Sequence, residues 1–109
     1  MLGEVLKIIR IATMEYETES KAAKKIGITP SYLNRIESGS KYPSDKILKK
    51  LSIIYNIPQE KIMSFDRIND KLKLNKQQLL KLILNYYLSD EYLSTKTNKE
   101  QETSMQKRK

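Results

Sequence analysis

Lys21-Ala22-Ala23-Lys24-Lys25-Ile26-Gly27-Ile28-Thr29-Pro30-Ser31-Tyr32-Leu33-Asn34-Arg35-Ile36-Glu37-Ser38-Gly39 is the stretch that decides the fold. Ala22, Ala23 and Ile26 recur at the spacing of one helix face. Gly27 follows as a residue that can end a helix in the left-handed conformation at little steric cost. Thr29 offers a hydroxyl to cap a new helix, and Pro30 suits the first turn, where a proline's missing N–H would be unpaired anyway. Leu33 and Ile36 bury this second helix, and Gly39 closes it as Gly27 closed the first. Ala23 is small enough for a close crossing, and Ile28 plugs the turn. Two short helices joined tightly in this way leave the second with a polar face of Pro30, Ser31, Asn34, Arg35 and Ser38.

Upstream, Leu2, Val5, Leu6 and Ile9 place a helix over about 2–12, linked by 13–17 to Thr18, the N-cap of the helix over 19–26. Glu19 then stands at the positive end of that helix dipole. Downstream, Ser40-Lys41-Tyr42-Pro43 is a loop, and Ser44 caps a fourth helix over 45–55 with Ile47, Leu48, Leu51, Ile54 and Tyr55 inward. Asn56 takes the left-handed position beyond it. Pro58 opens a short fifth helix to about Ser64, anchored by Ile57, Ile62 and Phe65, and a polar connector follows. Asn75 caps a sixth helix from Lys76 to about Leu88. No stretch alternates with a period of two, so no sheet is expected and the fold class is all-α. Five helices make a domain over 1–65, residues 66–93 carry the sixth, and 94–109 is a polar, basic tail too hydrophilic to order as part of the domain.

At 109 residues the chain has room for one small domain, and 39% hydrophobic residues give it a modest core. It holds neither cysteine nor histidine, which excludes a disulfide framework and any Cys/His zinc site, and removes the usual bases and nucleophiles. Its three glycines form no phosphate-cradling loop, and no Asp, Glu, Lys, Ser or Tyr cluster suggests a catalytic set. The expectation is a protein that is not an enzyme and needs no metal or cofactor. Met1-Leu2-Gly3-Glu4 lacks the basic start of a secretion signal, and Leu79 to Leu88, the richest apolar run, is broken by Lys81 and Asn85. No membrane span and a cytoplasmic location follow as expectations.

The net charge is +8. Residues 1–57 hold ten basic and six acidic side chains, 58–93 six and five, and 94–109 five and two. The excess therefore lies in the N-terminal part and the tail, as suits an anionic partner. Lys46, Lys49 and Lys50 read as the solvent face of the fourth helix, and Lys107-Arg108-Lys109 as a solubilising end.

A small Ala23, a turning Gly27 and the anchors Leu33 and Ile36 are the logic of a helix-turn-helix, whose second helix can enter a major groove. Here the chain resembles the phage-repressor-like, or XRE, transcriptional regulators. The resemblance covers about residues 2–65. It is carried by Leu2-Gly3-Glu4, Arg10, Ala23, Ile26-Gly27-Ile28, Ser31-Tyr32-Leu33-Asn34-Arg35-Ile36-Glu37-Ser38-Gly39, Pro43-Ser44, Leu48, Leu51 and Ile57. It implies a five-helix helix-turn-helix domain that binds double-stranded DNA. Pro30, Ser31, Asn34 and Arg35 match positions that face base edges, and Thr29, Tyr32, Ser40 and Lys41 match positions that approach phosphates. Arg10 and Glu37 match an internal ion pair between helices 1 and 3. Two departures stand out. Glu19 occupies a place where the family often carries a phosphate-touching Gln, leaving that contact to Lys21 or Lys24. Arg10 and Gly27 also lie about two residues further apart than usual, so either the first link is longer or helix 1 ends early.

Side-chain chemistry fits those roles: Arg35 can donate twice to guanine, Asn34 can pair with adenine, Ser31 can contact several bases, and Pro30 can touch a thymine methyl. In the sixth helix, Leu79, Ile83, Tyr86 and Tyr87 form one apolar stripe, Leu80, Leu84 and Leu88 a neighbouring one, and Leu82 stands apart. A helix apolar over so much of its circumference needs more than one partner surface. These residues are read as a homodimer contact, giving a repressor that binds an inverted repeat. The alternative is a protein-interaction module or antitoxin of the same fold, with the sixth helix holding a protein partner.

Overall fold

The computed structural model describes residues 1–13 and 18–89. Six helices follow in order: α1 (Leu2–Ala12), α2 (Glu19–Ile26), α3 (Pro30–Ser38), α4 (Asp45–Ile54), α5 (Gln59–Leu72) and α6 (Lys76–Tyr87), with no strand among the described residues. The fold is all-helical, as the sequence indicates. The tail over 94–109 and any reach of α6 beyond residue 89 lie outside the described residues.

Local chemistry sets most of the helix ends. The hydroxyls of Thr18, Thr29 and Ser44 accept the backbone N–H groups of Lys21, Tyr32 and Ile47 at 3.2, 3.1 and 3.2 Å. Asn75 and Gln78 exchange two such bonds at 2.8 and 2.9 Å, a full capping box. Each cap satisfies an otherwise orphan donor and contributes about 1 kcal/mol. Gly27 closes α2 with φ +82°, a left-handed backbone that glycine adopts without strain. α1 runs to Ala12, the end expected from its spacing, and the link over 14–17 lies outside the described residues.

α1 is the central element. It packs against α3, α5 and α6, while α2 packs on α3 and α4, and α4 on α5. That explains why Leu2, Val5, Leu6, Ile8 and Ile9 are all buried: α1 is covered on more than the one face its spacing suggested. Ile8 shares a small cavity of about 40 Å³ with Leu79 of α6. α6 is thus seated on the same core, with Leu79 and Ile83 2% and 0% exposed. Its far end is tied by the Tyr87 hydroxyl, which donates to the Tyr55 carbonyl at 2.6 Å. Tyr86 meets Phe65 of α5 edge-on, with ring centroids 6.0 Å apart.

The fifth helix departs from expectation. In place of a short turn over 58–64 and a polar connector, α5 runs unbroken to Leu72, across the boundary placed at residue 65. Its buried stripe is Ile62, Phe65 and Asn69, spaced by three and four residues, so the inward face ends on a polar side chain. The helix stops at Lys73, which adopts φ +54°.

Candidate nucleic-acid interface

α3 is held by one side and presents the other. Leu33 and Ile36 are fully buried, while Pro30, Ser31, Asn34, Arg35 and Ser38 are exposed. This division follows from the helical period: positions 30, 31, 34, 35 and 38 fall on one face and 33, 36 and 37 on the opposite one.

The anchor at the C-terminal half of α3 is ionic. Arg10 Nε donates to Glu37 Oε2 at 2.7 Å and Arg10 Nη2 to Glu37 Oε1 at 3.1 Å, with both residues only 4% exposed. The two-pronged geometry fixes the rotation of α3 about its axis relative to α1. Burial pushes the Glu37 carboxyl above its ordinary range, more than the Arg10 hydrogen bonds and charge pull it down, and nearby Glu19 adds to the rise. Burial acts to lower the Arg10 guanidinium, but Glu37 outweighs it and holds it above its ordinary value. Beside this pair α1 comes very close to α3: a Cβ at Gly3 would overlap the carbonyl oxygens of Ile36 and Glu37.

At the end of α3 the Arg35 carbonyl gathers several donors. The Ser38 hydroxyl donates to it at 3.2 Å, the Ser40 hydroxyl at 3.3 Å and the Lys41 backbone N–H at 3.1 Å. The Ser38 and Ser40 hydroxyls lie 3.0 Å apart, so one can donate to the other in place of the carbonyl. The Ser40 hydroxyl is therefore engaged in closing the helix. The Arg35 guanidinium has no hydrogen bond or ion pair among the described residues and stands in solvent. Tyr32 is half-buried, with Lys41 Nζ 5.3 Å from the centre of its ring. Thr29 spends its oxygen on capping α3 and keeps its own O–H to donate.

Asn34 is placed differently from a free base-reader. Its Nδ2 donates to both carboxylate oxygens of Glu19, at 3.3 Å each. Glu19 thus faces α3 from the first turn of α2 and lines a cleft with Lys7, Arg10, Thr18, Asn34, Glu37 and Ser38. The sequence singles out both residues but not their pairing, which spans fifteen positions and two helices. Around the face, Lys24, Lys46, Lys49 and Lys50 are exposed.

On α6, Leu79 and Ile83 lie inside the chain's own core, and Tyr86 and Tyr87 are half-buried against α5 and α4. On the neighbouring stripe Leu80 is half-buried and packed against the core, Leu84 is half-buried and Leu88 is 73% exposed. Of the residues expected to contact a second copy, Leu79 and Ile83 are thus taken up by the chain's own core, and Leu88 is the most exposed. Among the described residues no helix is long and apolar enough to cross a membrane.

Residues 18–60 match the helix-turn-helix family model. The matched segment begins at the Thr18 cap and ends in the first turn of α5, so it contains the whole of α2, α3 and α4. No curated protein and no solved structure matches the chain.

Proposed function

We propose that the chain, whose residues 18–60 match the helix-turn-helix family model, is a phage-repressor-like, XRE-type transcriptional repressor that binds an inverted-repeat operator sequence-specifically as a homodimer. α3 enters the major groove with Pro30, Ser31, Asn34 and Arg35 toward base edges. Thr29, Tyr32 and Lys41 lie toward the phosphates, and Ser40 stays at the helix end. The observation that carries this reading is the Arg35 guanidinium, without a hydrogen bond or ion pair among the described residues, on the exposed side of a helix locked from behind by Leu33, Ile36 and the Arg10–Glu37 pair. A donor fork that no described residue engages suits guanine O6 and N7. Bound at its operator, the protein blocks polymerase. Two copies joined through Leu80, Leu84 and Leu88 set their α3 helices about one DNA turn, roughly 34–36 Å, apart.

The test is binding to duplexes from the DNA flanking its own coding region, followed by fluorescence anisotropy at about 0.15 M salt. The wild-type chain binds one such duplex at least about a thousandfold more tightly than a scrambled duplex. Arg35→Ala erases most of that ratio and Arg35→Lys only part of it, while non-specific affinity falls little. Equal affinity for every duplex overturns the reading. A distinct protein that co-purifies and occupies the α6 stripe, with no specific DNA binding, supports the interaction-module alternative.

A further inference from the structure

The loop after α3 is tied back to that helix at two points. The Lys41 backbone N–H donates to the Arg35 carbonyl at 3.1 Å, and Lys41 Nζ lies 5.3 Å from the centre of the Tyr32 ring, within the range of a cation–π attraction. Pro43, buried two residues on, holds the far side of the loop. Tyr32 is the fixed partner, half-buried in the first turn of α3 and packed against the core. Lys41 is the exposed one, and no carboxylate among the described residues pairs with it.

We propose that Tyr32 is a positioning residue for DNA binding: its ring holds the Lys41 ammonium at the end of α3 for a backbone phosphate, and its hydroxyl makes no such contact. The proposal rests on the DNA-reading role given to α3. A lysine on a free stem gives up rotamer freedom when it meets a phosphate. A ring that already confines the stem removes part of that loss. The ring face attracts the charge without taking up all its ammonium hydrogens, so donors remain on the far side for phosphate oxygens. The Arg35 carbonyl fixes where this happens, because the residue given the guanine contact also anchors the Lys41 backbone. Base reading and phosphate contact are thereby set in one register.

Fluorescence anisotropy with the full chain and a duplex selected from a random pool, over a series of salt concentrations, tests this. Lys41→Met weakens binding and reduces the steepness of log affinity against log salt by about one. Tyr32→Leu removes the ring and weakens binding about two- to fivefold, the worth of an exposed cation–π contact. Tyr32→Phe restores the ring and most of the affinity. In the Lys41→Met background Tyr32→Leu adds no further loss, because Tyr32 acts through Lys41. Four results overturn the proposal: no loss with Tyr32→Leu, an equal loss with Tyr32→Phe, a Tyr32→Leu loss that persists without Lys41, or a wild-type salt dependence in Lys41→Met. If Tyr32→Leu does not fold, as circular dichroism reports, the proton signals of the Lys41 ε-methylene decide. A ring-current shift upfield of the other exposed lysines, kept when the duplex binds, supports the proposal, and its absence from the bound chain overturns it. A wild-type chain that selects no duplex overturns the DNA-reading role itself, a result distinct from the others.

Discussion

Replacing Arg10 by Met removes the guanidinium while keeping an unbranched side chain in the core. The loss is two hydrogen bonds, at 2.7 and 3.1 Å, and the cation that they bind to the carboxylate of a residue 4% exposed. Breaking a buried pair from one side costs about 3–5 kcal/mol, because the remaining charge stays desolvated. Against the roughly 5–15 kcal/mol that holds a small domain, this is a large fraction. Urea unfolding followed by circular dichroism measures it. The pH dependence has a definite sign. Burial holds the Glu37 carboxyl above its ordinary value, so the folded chain binds this proton more readily than the unfolded one. The stability linked to that proton is fully present below the unfolded value and lost as pH rises through the folded one. Without Arg10 the carboxyl rises further. The Arg10→Met deficit should therefore be full at about pH 7 and shrink toward about pH 4, where Glu37 is neutral. The double variant Arg10→Met/Glu37→Met recovers most of the loss, since no buried charge remains. A deficit under about 1 kcal/mol at neutral pH, or one that ignores pH, refutes the reasoning.

Gly3→Ala puts a methyl group against the carbonyls of Ile36 and Glu37. It should cost about 1–3 kcal/mol or more by forcing α1 away from α3, read as a lower urea midpoint. Lys73 holds φ +54°, so Lys73→Gly relieves a backbone penalty and should raise stability by about 0.5–1 kcal/mol in the same assay. Leu84→Glu with Leu88→Glu puts charge on the outer side of α6, and sedimentation should show a monomer in place of the proposed wild-type dimer, with the helical content unchanged. A wild-type chain that is already monomeric at micromolar concentration rules out the dimer.

Much of the fold was legible because its punctuation is local. Thr18, Gly27, Thr29-Pro30, Gly39 and Ser44 each act through their own neighbours, so α2 and α3 begin and end where those residues place them. The end of α5 was not legible, because no glycine or proline marks it. Asp66, Arg67, Asn69 and Asp70 look like a linker until Asn69 is seen to be the inward residue, and Lys73 carries no signal for a left-handed backbone. The seating of α6 on α1 was hidden for a different reason. Ile8 and the stripe of Leu79 and Ile83 each announce burial, but periodicity cannot say which surface meets which. The exposed face of α3 could be read from spacing alone. The turn of Asn34 toward Glu19 depends on the crossing of α2 and α3, and a one-dimensional pattern does not contain that.

The most direct measurement is a nuclear magnetic resonance titration of the labelled chain with a duplex selected from a random pool, compared with its scrambled counterpart. If α3 is the base-reading element, the selected duplex shifts the amides of residues 30–35 and the side-chain signals of Asn34 and Arg35 strongly. The scrambled duplex then moves mainly lysine-bearing surfaces, and α6 stays silent with both. Shifts centred on α6 with residues 30–35 unmoved, or identical responses to the two duplexes, contradict the account.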